Sequence, residues 1–139
     1  KVAPDLEPAD IDDIVAVALD KRLAAVIVSN TTITRPPLAS RHAGEAGGLS
    51  GAPLAELALR RVRDFRTASG GRLPLIAAGG IASPEQAWER IRAGASLVQL
   101  YSAMVYEGPG LAGRIARGLE TLAARDGFAR VADAVGAGG

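Results

Sequence analysis

The sequence predicts an α/β fold in which short parallel strands alternate with helices. Three apolar runs, at 24–28, 73–78 and 96–100, have the length and composition of strands that are buried on both faces. Segments with the apolar spacing of amphipathic helices separate these runs and follow the last one. This alternation implies parallel strands joined by right-handed crossovers, because a helix has to carry the chain back between parallel strands.

The first helix is predicted over residues 9–20. Its apolar side chains recur at helical offsets from Ile11 to Leu19. Three aspartates lie near its N-terminus: Asp10, Asp12 and Asp13. Because the helix dipole favours negative charge there, this spacing indicates a helix start rather than a metal site. No metal site is predicted anywhere in the chain.

A long polar loop and a second helix follow the first strand. Residues 30–50 are rich in Thr, Pro and Gly, and a loop of this length inside a compact domain is usually either functional or disordered. Pro53 begins the helix in its first turn, where proline is favoured, and Gly70-Gly71 ends it. Four arginines of this helix are expected to form an exposed face: Arg60, Arg61, Arg63 and Arg66.

The second strand leads into a helix with a clear start signal. Gly79-Gly80 ends the strand at 73–78. Ser83 is predicted as the N-cap residue and Pro84 as the first helical residue, and Gln86 is predicted to close a capping box. The sequence therefore fixes the beginning of this helix more closely than that of the others.

The third strand, at 96–100, stops abruptly at two hydroxyl residues, Tyr101 and Ser102. A last long helix is predicted over about 111–124 from its apolar spacing. A short closing helix is predicted around 128–135. The abrupt end of the third strand raises the question of what Tyr101 and Ser102 face.

The number of strands points to part of a larger architecture. Three complete strands make a poor free-standing parallel sheet, and Lys1-Val2 offers at most the stub of a fourth. A (β/α)₈ or TIM barrel typically needs about 250 residues. We therefore predict that this chain of 139 residues is the C-terminal part of such a barrel.

Composition and charge exclude several classes of function. With 16 basic and 15 acidic residues the net charge is +1, which argues against nucleic acid or an anionic membrane surface as a partner. With no cysteine, the chain has no disulfide, no thiolate metal site and no cysteine nucleophile. No apolar run approaches the roughly 20 residues of a membrane span, and no signal peptide pattern is present, so the chain itself is expected to be soluble. It opens with Lys1 rather than Met, which leaves open whether it begins where its gene begins.

Polar groups follow each strand at the edge where a barrel carries its chemistry. In a (β/α)₈ barrel the site lies at the C-terminal ends of the strands, often with a phosphate near the last two. Those ends offer a cation at Lys1, an amide and hydroxyls at 29–32, and bare backbone at Gly79-Gly80. Tyr101-Ser102 adds hydroxyl and N–H donors. Together these polar groups suit a flat polar ligand that carries an anion. Gly79-Gly80 can serve equally well as a tight turn into the capped helix.

Six motifs of the chain occur, in the same order, in one family of enzymes. They are KVAPDL at 1–6, VSNTT at 28–32, EAGGLSGAPL at 45–54, AAGGIAS at 77–83, IRAGASLVQLYSAMVYEGPG at 91–110 and RDGFARVADAVG at 125–136. By these motifs the chain closely resembles class 2, quinone-dependent dihydroorotate dehydrogenase. The resemblance covers essentially the whole chain, and several long motifs in order are far more specific than any single one.

The resemblance implies an FMN-dependent (β/α)₈ barrel that oxidises dihydroorotate to orotate in de novo pyrimidine (UMP) biosynthesis. In this family a base removes a proton from substrate C5, a hydride passes from C6 to flavin N5, and a quinone reoxidises the flavin. Class 2 members attach to a membrane through an N-terminal extension. For a bacterial parent this implies a peripheral location at the cytoplasmic face of the inner membrane.

Cofactor-binding residues are implied by matching the motifs position by position: Lys1, Ser29, Gly51, Gly80, Tyr101 and Ser102. Lys1 should lie beside the flavin ring, where its charge stabilises the anionic reduced form. Ser29 matches a flavin-contacting hydroxyl, and Gly51 and Gly80 match backbone contacts to FMN. Tyr101 and Ser102 match contacts at the phosphate end, and Ser102 often appears as Thr in this family.

The substrate-binding pair implied by the resemblance is Asn30 and Thr31. The side-chain amide of Asn30 can pair with an edge of orotate, because it offers a donor and an acceptor together. Considered alone, an asparagine at a strand end is more often a turn residue than a ligand. The surrounding VSNTT motif favours the binding role.

The resemblance also implies that several parts of the enzyme lie outside this chain. The family's catalytic base is a serine from the earlier part of the barrel, so no catalytic residue is predicted here, and neither Ser40 nor Ser50 is assigned that role. We expect residues 1–139 to be the C-terminal half of the FMN-binding barrel, inactive alone. The N-terminal half, with the quinone tunnel and the membrane-anchoring extension, is expected to belong to the parent protein.

Two alternatives of other kinds remain at this point. The chain could be a non-catalytic phosphate-binding or structural half-barrel module whose sheet edges associate with another copy or with the rest of the barrel. It could also be another FMN- or phosphate-binding barrel enzyme, against which Asn30-Thr31 argues.

Two further ring side chains are assigned no role in a site. His42, the only histidine, is predicted to be a solvated loop residue, and Trp88 is predicted to pack in the core or against a neighbouring helix.

Overall fold

A computed structural model describes residues 1–138, which form a parallel three-stranded sheet with helices between the strands. The helices are α1 (Pro8–Asp20), α2 (Ala55–Ser69), α3 (Pro84–Arg92), α4 (Ser102–Glu107) and α5 (Leu111–Arg125). The strands are β1 (Val26–Val28), β2 (Leu75–Ala78) and β3 (Ala95–Gln99), and short 3₁₀ turns cover Ala52–Leu54 and Val131–Ala134. The predicted alternation of strands and helices is therefore confirmed.

The three strands lie side by side in chain order, and both pairings are parallel. The first residues of the chain extend the sheet beyond β1, through an isolated parallel bridge between Val2 and Val28. The Val2 N–H donates to the Ile27 carbonyl at 3.1 Å, and the Asn30 N–H donates to the Val2 carbonyl at 2.7 Å. The predicted stub at Lys1-Val2 thus lies next to β1, to which it is joined by this one bridge.

Helix α2 packs on helix α1 and also on the sheet. The apolar side chains at these contacts form the main core. Phe65 and Val62 of α2 and Leu75 and Ala77 of β2 are all completely buried in it. Burying one such side chain contributes roughly 1.5–3 kcal/mol relative to leaving it in water. This apolar layer fixes the position of β2, and with it the position of the strand end that follows.

A second apolar cluster joins α3, α5 and the closing 3₁₀ turn. The rings of Trp88 and Phe128 meet edge to face, with centroids 5.9 Å apart and an angle of 70° between the planes. The indole Nε1 of Trp88 donates to Asp126 Oδ2 at 2.8 Å. The predicted packing role of Trp88 is confirmed.

The start of α3 is close to the prediction but differs in one hydrogen bond. Ser83 is the N-cap residue, and its Oγ accepts from the Gln86 N–H at 3.3 Å. The side-chain oxygen of Gln86, however, accepts from the Ala82 N–H at 2.8 Å rather than from the Ser83 N–H of a capping box. The predicted end of helix α2 is also found: Gly70, its C-cap residue, has the left-handed conformation, with φ of 56°.

One predicted boundary is wrong, and one helix was missed. Pro53 lies in a 3₁₀ turn, and the α-helical hydrogen bonding of α2 begins only at Ala55. Helix α4, directly after Tyr101, was not predicted at all. Its six residues are too few to show the apolar repeat by which an amphipathic helix is found in a sequence.

The prediction of an exposed arginine face on α2 holds for only two of its four members, Arg60 and Arg63. Arg61 Nε donates to the Pro4 carbonyl at 2.6 Å, and its Nη1 lies 2.5 Å from Asp64 Oδ2. Arg66 is partly buried, and its Nη1 donates to the Gly71 carbonyl at 3.3 Å. Both side chains hold neighbouring backbone in place, because a guanidinium offers several donors at the end of a long stem.

Strand β3 forms one edge of the described sheet and leaves a row of apolar side chains in water. Leu97 on β3 is 61% exposed, and Tyr101 and Tyr106 are 83% and 87% exposed. Val105, on the same short helix as Tyr106, is also exposed. An exposed strand edge with adjacent apolar surface is a place where further strands pair. Within residues 1–138, every helix is too short or too polar to serve as a transmembrane segment.

Replacing Asp126 should make the stability of the chain less dependent on pH in the acid range. Hydrogen bonds from Arg125 and Trp88 lower the pKa of Asp126 from 3.8 to about 2. Because its pKa is lower in the folded chain, Asp126 stabilises the fold above about pH 4, and this contribution is lost as the pH falls towards 2. We expect Asp126→Asn to be less stable than the parent at pH 7, with a smaller difference at pH 3, in urea unfolding followed by Trp88 fluorescence. Asp13→Asn, which changes an exposed residue of α1, should show no such trend; an equal difference at both pH values for Asp126→Asn would contradict the assignment.

Candidate functional site

A cavity of about 620 Å³ opens at the C-terminal ends of the strands. Its walls come from the first residue of the chain, the segments that follow β1, β2 and β3, and the start of α4. Ligand sites of parallel α/β proteins lie at this edge of the sheet, and their volumes usually fall within about 300–1,000 Å³. The cavity therefore has the place and the size of a binding site for a medium-sized ligand.

All eight residues predicted from the sequence line this one cavity: Lys1, Ser29, Asn30, Thr31, Gly51, Gly80, Tyr101 and Ser102. They come from segments that lie as far as a hundred positions apart along the chain. The structure brings them together because the parallel strands all end at the same edge of the sheet. Their individual roles stay predictions, since the cavity shows only where they lie.

Glycine forms the floor of the cavity where β2 meets the start of α2. Gly80 has φ of +67°, and a Cβ added to it would lie 2.5 Å from Ala55 Cα and 2.7 Å from Ala55 N. A Cβ on Gly79 would lie 2.9 Å from Leu54 Cδ2. The backbone here therefore lies too close to α2 for any other residue type, and it faces the cavity without side chains.

The strand end after β1 presents one buried hydroxyl and one exposed amide. Ser29 is 2% exposed, its Oγ donates to the Asn30 carbonyl at 3.0 Å, and the peptide bond that precedes it is cis. Asn30 Oδ1 accepts from the Thr31 N–H at 2.9 Å, which leaves the amide NH₂ of Asn30 as a donor for a ligand. Gly48 lies directly against the Thr31 side chain, because a Cβ at Gly48 would overlap it.

Two hydroxyls from distant parts of the chain meet in the cavity wall. Ser50 Oγ and Ser102 Oγ lie 2.9 Å apart, and Gly51 lies beside Ser102. Gly51 has φ of +74°, a conformation that glycine adopts without strain. The hydroxyl pair, the adjacent glycine backbone and the first turn of α4 provide several donors for an anion in one place.

Charge in the cavity favours an anionic ligand. Among the described residues that line it, Lys1 carries the only charged side chain, and no carboxylate opposes it. The remaining polar groups are hydroxyls, amides and backbone. A cation and several hydroxyl donors in one cavity suit a ligand with an anionic group.

Arg90 supports the floor of the cavity from behind. Its side chain is 2% exposed, and its Nη2 donates to the Ala55 carbonyl at 2.6 Å. Burial lowers the pKa of Arg90, and the carboxylate of Glu89, 3.7 Å from Nη1, partly offsets that effect. Arg90 thus holds the start of α2 against Gly80. The helical spacing of α3 gave no sign of this, because buried arginines are rare.

Sequence reasoning missed several residues of the cavity wall: Ser50, Gln86, Gln99 and Tyr106. Gln86 could have been found through its place at the start of α3, and Ser50 through its neighbour Gly51. His42 lies outside the cavity, exposed, with its Nδ1 2.9 Å from Glu45 Oε1, so its prediction as a solvated loop residue is confirmed. Among residues 1–138, no group of His, Cys, Asp and Glu side chains could hold a metal ion.

The fold and the cavity define a class of protein, a parallel β/α barrel segment with a cavity at its strand ends. The model of the family described as "Dihydroorotate dehydrogenase" matches residues 1–122. The chain therefore belongs to the dihydroorotate dehydrogenase family. Both the predicted family and the predicted fold class, the C-terminal part of a (β/α)₈ barrel, are confirmed.

Individual relatives agree with the family match. Over 138 residues the chain is 89% identical to dihydroorotate dehydrogenase (quinone) of Sphingopyxis alaskensis, covering 99% of this chain and 39% of that protein. It is 68% identical to the protein of the same name from Novosphingobium aromaticivorans, over 98% of this chain and 39% of that one. The chain thus spans about two fifths of the length of these relatives.

A solved structure shows the same arrangement of elements. The crystal structure of DHODH from Eimeria tenella in complex with ferulenol matches with a TM-score of 0.92 at 43% sequence identity. The match covers 96% of this chain and 36% of that one. A ligand-free structure from the same organism matches with a TM-score of 0.93.

Alanine at Gly80 should destabilise the chain and disturb the floor of the cavity. An added Cβ meets backbone atoms of Ala55, which cannot move without displacing α2, and the positive φ of Gly80 adds strain. We expect Gly80→Ala to lower the free energy of unfolding by about 1–3 kcal/mol in urea denaturation. The control is Gly44→Ala, because nothing lies within 4 Å of a Cβ at that position. Equal stability of the two variants would contradict the close contact between Gly80 and α2.

Proposed function

We propose that this chain is the C-terminal part of a quinone-dependent dihydroorotate dehydrogenase that uses FMN to oxidise dihydroorotate to orotate in pyrimidine biosynthesis. The observation that carries the proposal is the gathering of all eight motif residues in one cavity. The names of the relatives support the same reaction and the same electron acceptor. In this proposal, dihydroorotate is the substrate and a quinone is the second partner.

Several features of the cavity support FMN as the cofactor. When bound, FMN supplies a flavin ring that accepts a hydride from the substrate. Lys1 would hold its ammonium near that ring and stabilise negative charge there. The backbone at Gly51 and Gly80 would approach the flavin, and Tyr101 and Ser102 would bind the phosphate. The absence of an opposing carboxylate among the described lining residues supports this assignment.

The strand end after β1 would bind the substrate. Dihydroorotate and orotate carry a carboxylate and an edge of alternating amide donors and acceptors, which side-chain amides and hydroxyls recognise. The free NH₂ group of Asn30 and the hydroxyl of Thr31 provide such partners close to Lys1 in the same cavity. Ser29, which is buried next to this pair, would contact the flavin with its hydroxyl.

The remaining parts of the active site would come from the rest of the parent protein. Leu97, Tyr101, Val105 and Tyr106 give the β3 edge an exposed apolar surface, which suits the strands that would complete the barrel. In the family the base is a serine from the earlier part of the barrel, so none of the serines that line this cavity is given that role: Ser29, Ser50 and Ser102. The quinone site and a membrane-attaching segment would likewise belong to the N-terminal region, at the cytoplasmic face of the inner membrane in a bacterium.

A chimeric enzyme tests the proposed function and the role of Lys1. Residues 1–138 replace the matching segment of the Sphingopyxis alaskensis enzyme, to which they are 89% identical. We expect the chimera to retain FMN and to oxidise dihydroorotate with a quinone. Lys1→Ala should lower kcat/KM by about 100-fold, the usual effect of removing one group that stabilises developing charge. Lys21→Ala, an exposed lysine beside Asp20, is the control. A chimera without FMN or without turnover would contradict the proposal.

The isolated chain should show no turnover of dihydroorotate, because the proposed base lies outside it. Turnover should appear when the chain is mixed with the separately produced N-terminal part of the Sphingopyxis alaskensis enzyme. Leu97→Lys, which places a charge on the exposed apolar face of β3, should weaken this complementation, whereas Val17→Lys on the exposed face of α1 should not. Turnover by the isolated chain would show that the division of the active site is wrong.

A further inference from the structure

The segment that carries the proposed substrate pair is held by an unusual concentration of hydrogen bonds at Thr32. This residue is 2% exposed and forms an antiparallel bridge with Leu49. The Thr32 N–H donates to the Leu49 carbonyl at 3.1 Å, and the Leu49 N–H donates back at 2.8 Å. Thr32 Oγ1 also accepts from the Thr34 N–H at 2.9 Å. The two ends of the long loop are thereby joined directly after Asn30-Thr31.

Asp5 contacts the same short segment from the other side. One oxygen of its carboxylate accepts from the hydroxyls of Thr32 and Thr34, the latter at 2.9 Å. The other oxygen accepts from the Ile33 N–H at 3.1 Å. A single side chain thus receives three hydrogen bonds from three consecutive residues that lie 27 to 29 positions further along the chain.

Asp5 belongs to the segment that also carries Lys1. The carbonyl of Pro4, which is buried, accepts from Arg61 Nε at 2.6 Å, so this segment is itself attached to α2. The Asn30 N–H donates to the Val2 carbonyl at 2.7 Å. The segment of Lys1 and the segment of Asn30 are therefore connected at two points, by the backbone at Val2 and by the side chain at Asp5.

The chemistry of this contact suits an ionised carboxylate. All three partners of Asp5 donate, and an ionised carboxylate is the side chain that only accepts. Burial raises the pKa of Asp5, but the hydrogen bonds from Thr32, Thr34 and Ile33 lower it by more, so that the pKa lies below its ordinary value. The carboxylate consequently stays charged at neutral pH. An amide at this position would lose the charge and keep one acceptor, and the two hydroxyls would have to turn to accept from its NH₂ group.

We propose that Asp5 is a positioning residue for substrate binding, which holds Asn30-Thr31 in a fixed place relative to Lys1 by binding the three residues that follow. The inference rests on the proposed function, because it concerns the pair assigned there to the substrate. Asp5 does not line the cavity, so it acts through the backbone of 32–34 and touches neither substrate nor flavin. Its removal should therefore weaken substrate binding and leave flavin binding unchanged.

The test uses the chimeric enzyme with Asp5→Asn and with the matched pair Thr34→Val and Thr34→Ser. The readouts are the FMN content, the KM for dihydroorotate and the Kd for orotate, the last from the change in flavin absorbance. We expect Asp5→Asn to raise KM and Kd about tenfold or more, as the loss of hydrogen bonds to a charged group would, with unchanged FMN content. Thr34→Val should raise both values by a smaller factor. Thr34→Ser, which keeps the hydroxyl, should restore them.

The controls separate the possible failures. Asp12→Asn removes the same charge from an exposed position on α1 and should leave KM, Kd and FMN content as they are. Parallel loss of FMN and of orotate affinity in Asp5→Asn and Thr34→Val would indicate general damage and overturn the proposal. If Asp5→Asn fails to fold, the Thr34 pair decides, because Thr34 is exposed. Unchanged orotate affinity in an active, FMN-containing chimera overturns the role of Asp5 alone, whereas an unmodified chimera without FMN or turnover overturns the proposed function and this inference together.

Discussion

The parallel register of β1 and β2 is the constraint on which the site depends. Val28 pairs with Ala77, and the Ser29 N–H donates to the Ala78 carbonyl at 2.9 Å, so both strands end at the same level of the sheet. A slip of one residue would turn every side chain of a strand to the opposite face and bury polar groups in the core. The fully buried Phe65 of α2 and its apolar neighbours make such a slip costly. The register therefore places the hydroxyl and amide after β1 beside the bare glycine backbone after β2.

The long segment after β1 obeys a second constraint, the need to satisfy polar backbone groups that no longer belong to the sheet. Thr32 meets it by pairing with Leu49. The guanidinium of Arg35 contributes further, donating to the carbonyls of Glu45 and Gly47 at 3.1 and 2.5 Å, and Asp5 accepts from the opposite side. A cation and an anion thus hold the base of the loop between them. The two ends of the loop, which line the cavity at Asn30, Thr31 and Ser50, are therefore supported from within the loop and by Asp5.

Sequence reasoning could predict the structural features that are encoded by neighbouring residues or by known motifs. The start of α3 at Ser83 is an example, because the capping side chain and its partner lie three residues apart. The roles of Arg61, Arg90 and Asp5 could not be predicted in the same way. Their partners lie 27 to 57 positions away, and only the folded chain shows which carbonyls and hydroxyls they meet. The spacing of residues along a helix predicts which of them share one face of that helix. It does not predict which groups of the folded chain that face contacts.

A crystal structure of the chimeric enzyme with FMN and orotate tests the central claim most directly, namely that the strand ends of this chain form the flavin and substrate site. We expect the flavin phosphate against Tyr101 and Ser102, the ring beside Lys1, and orotate in contact with Asn30. A phosphate bound instead in the smaller cavity of about 280 Å³ on the outer side of α3 and α5, which three arginines line, would contradict it. So would orotate bound away from the end of β1, because the proposed alignment of substrate and flavin would then be lost.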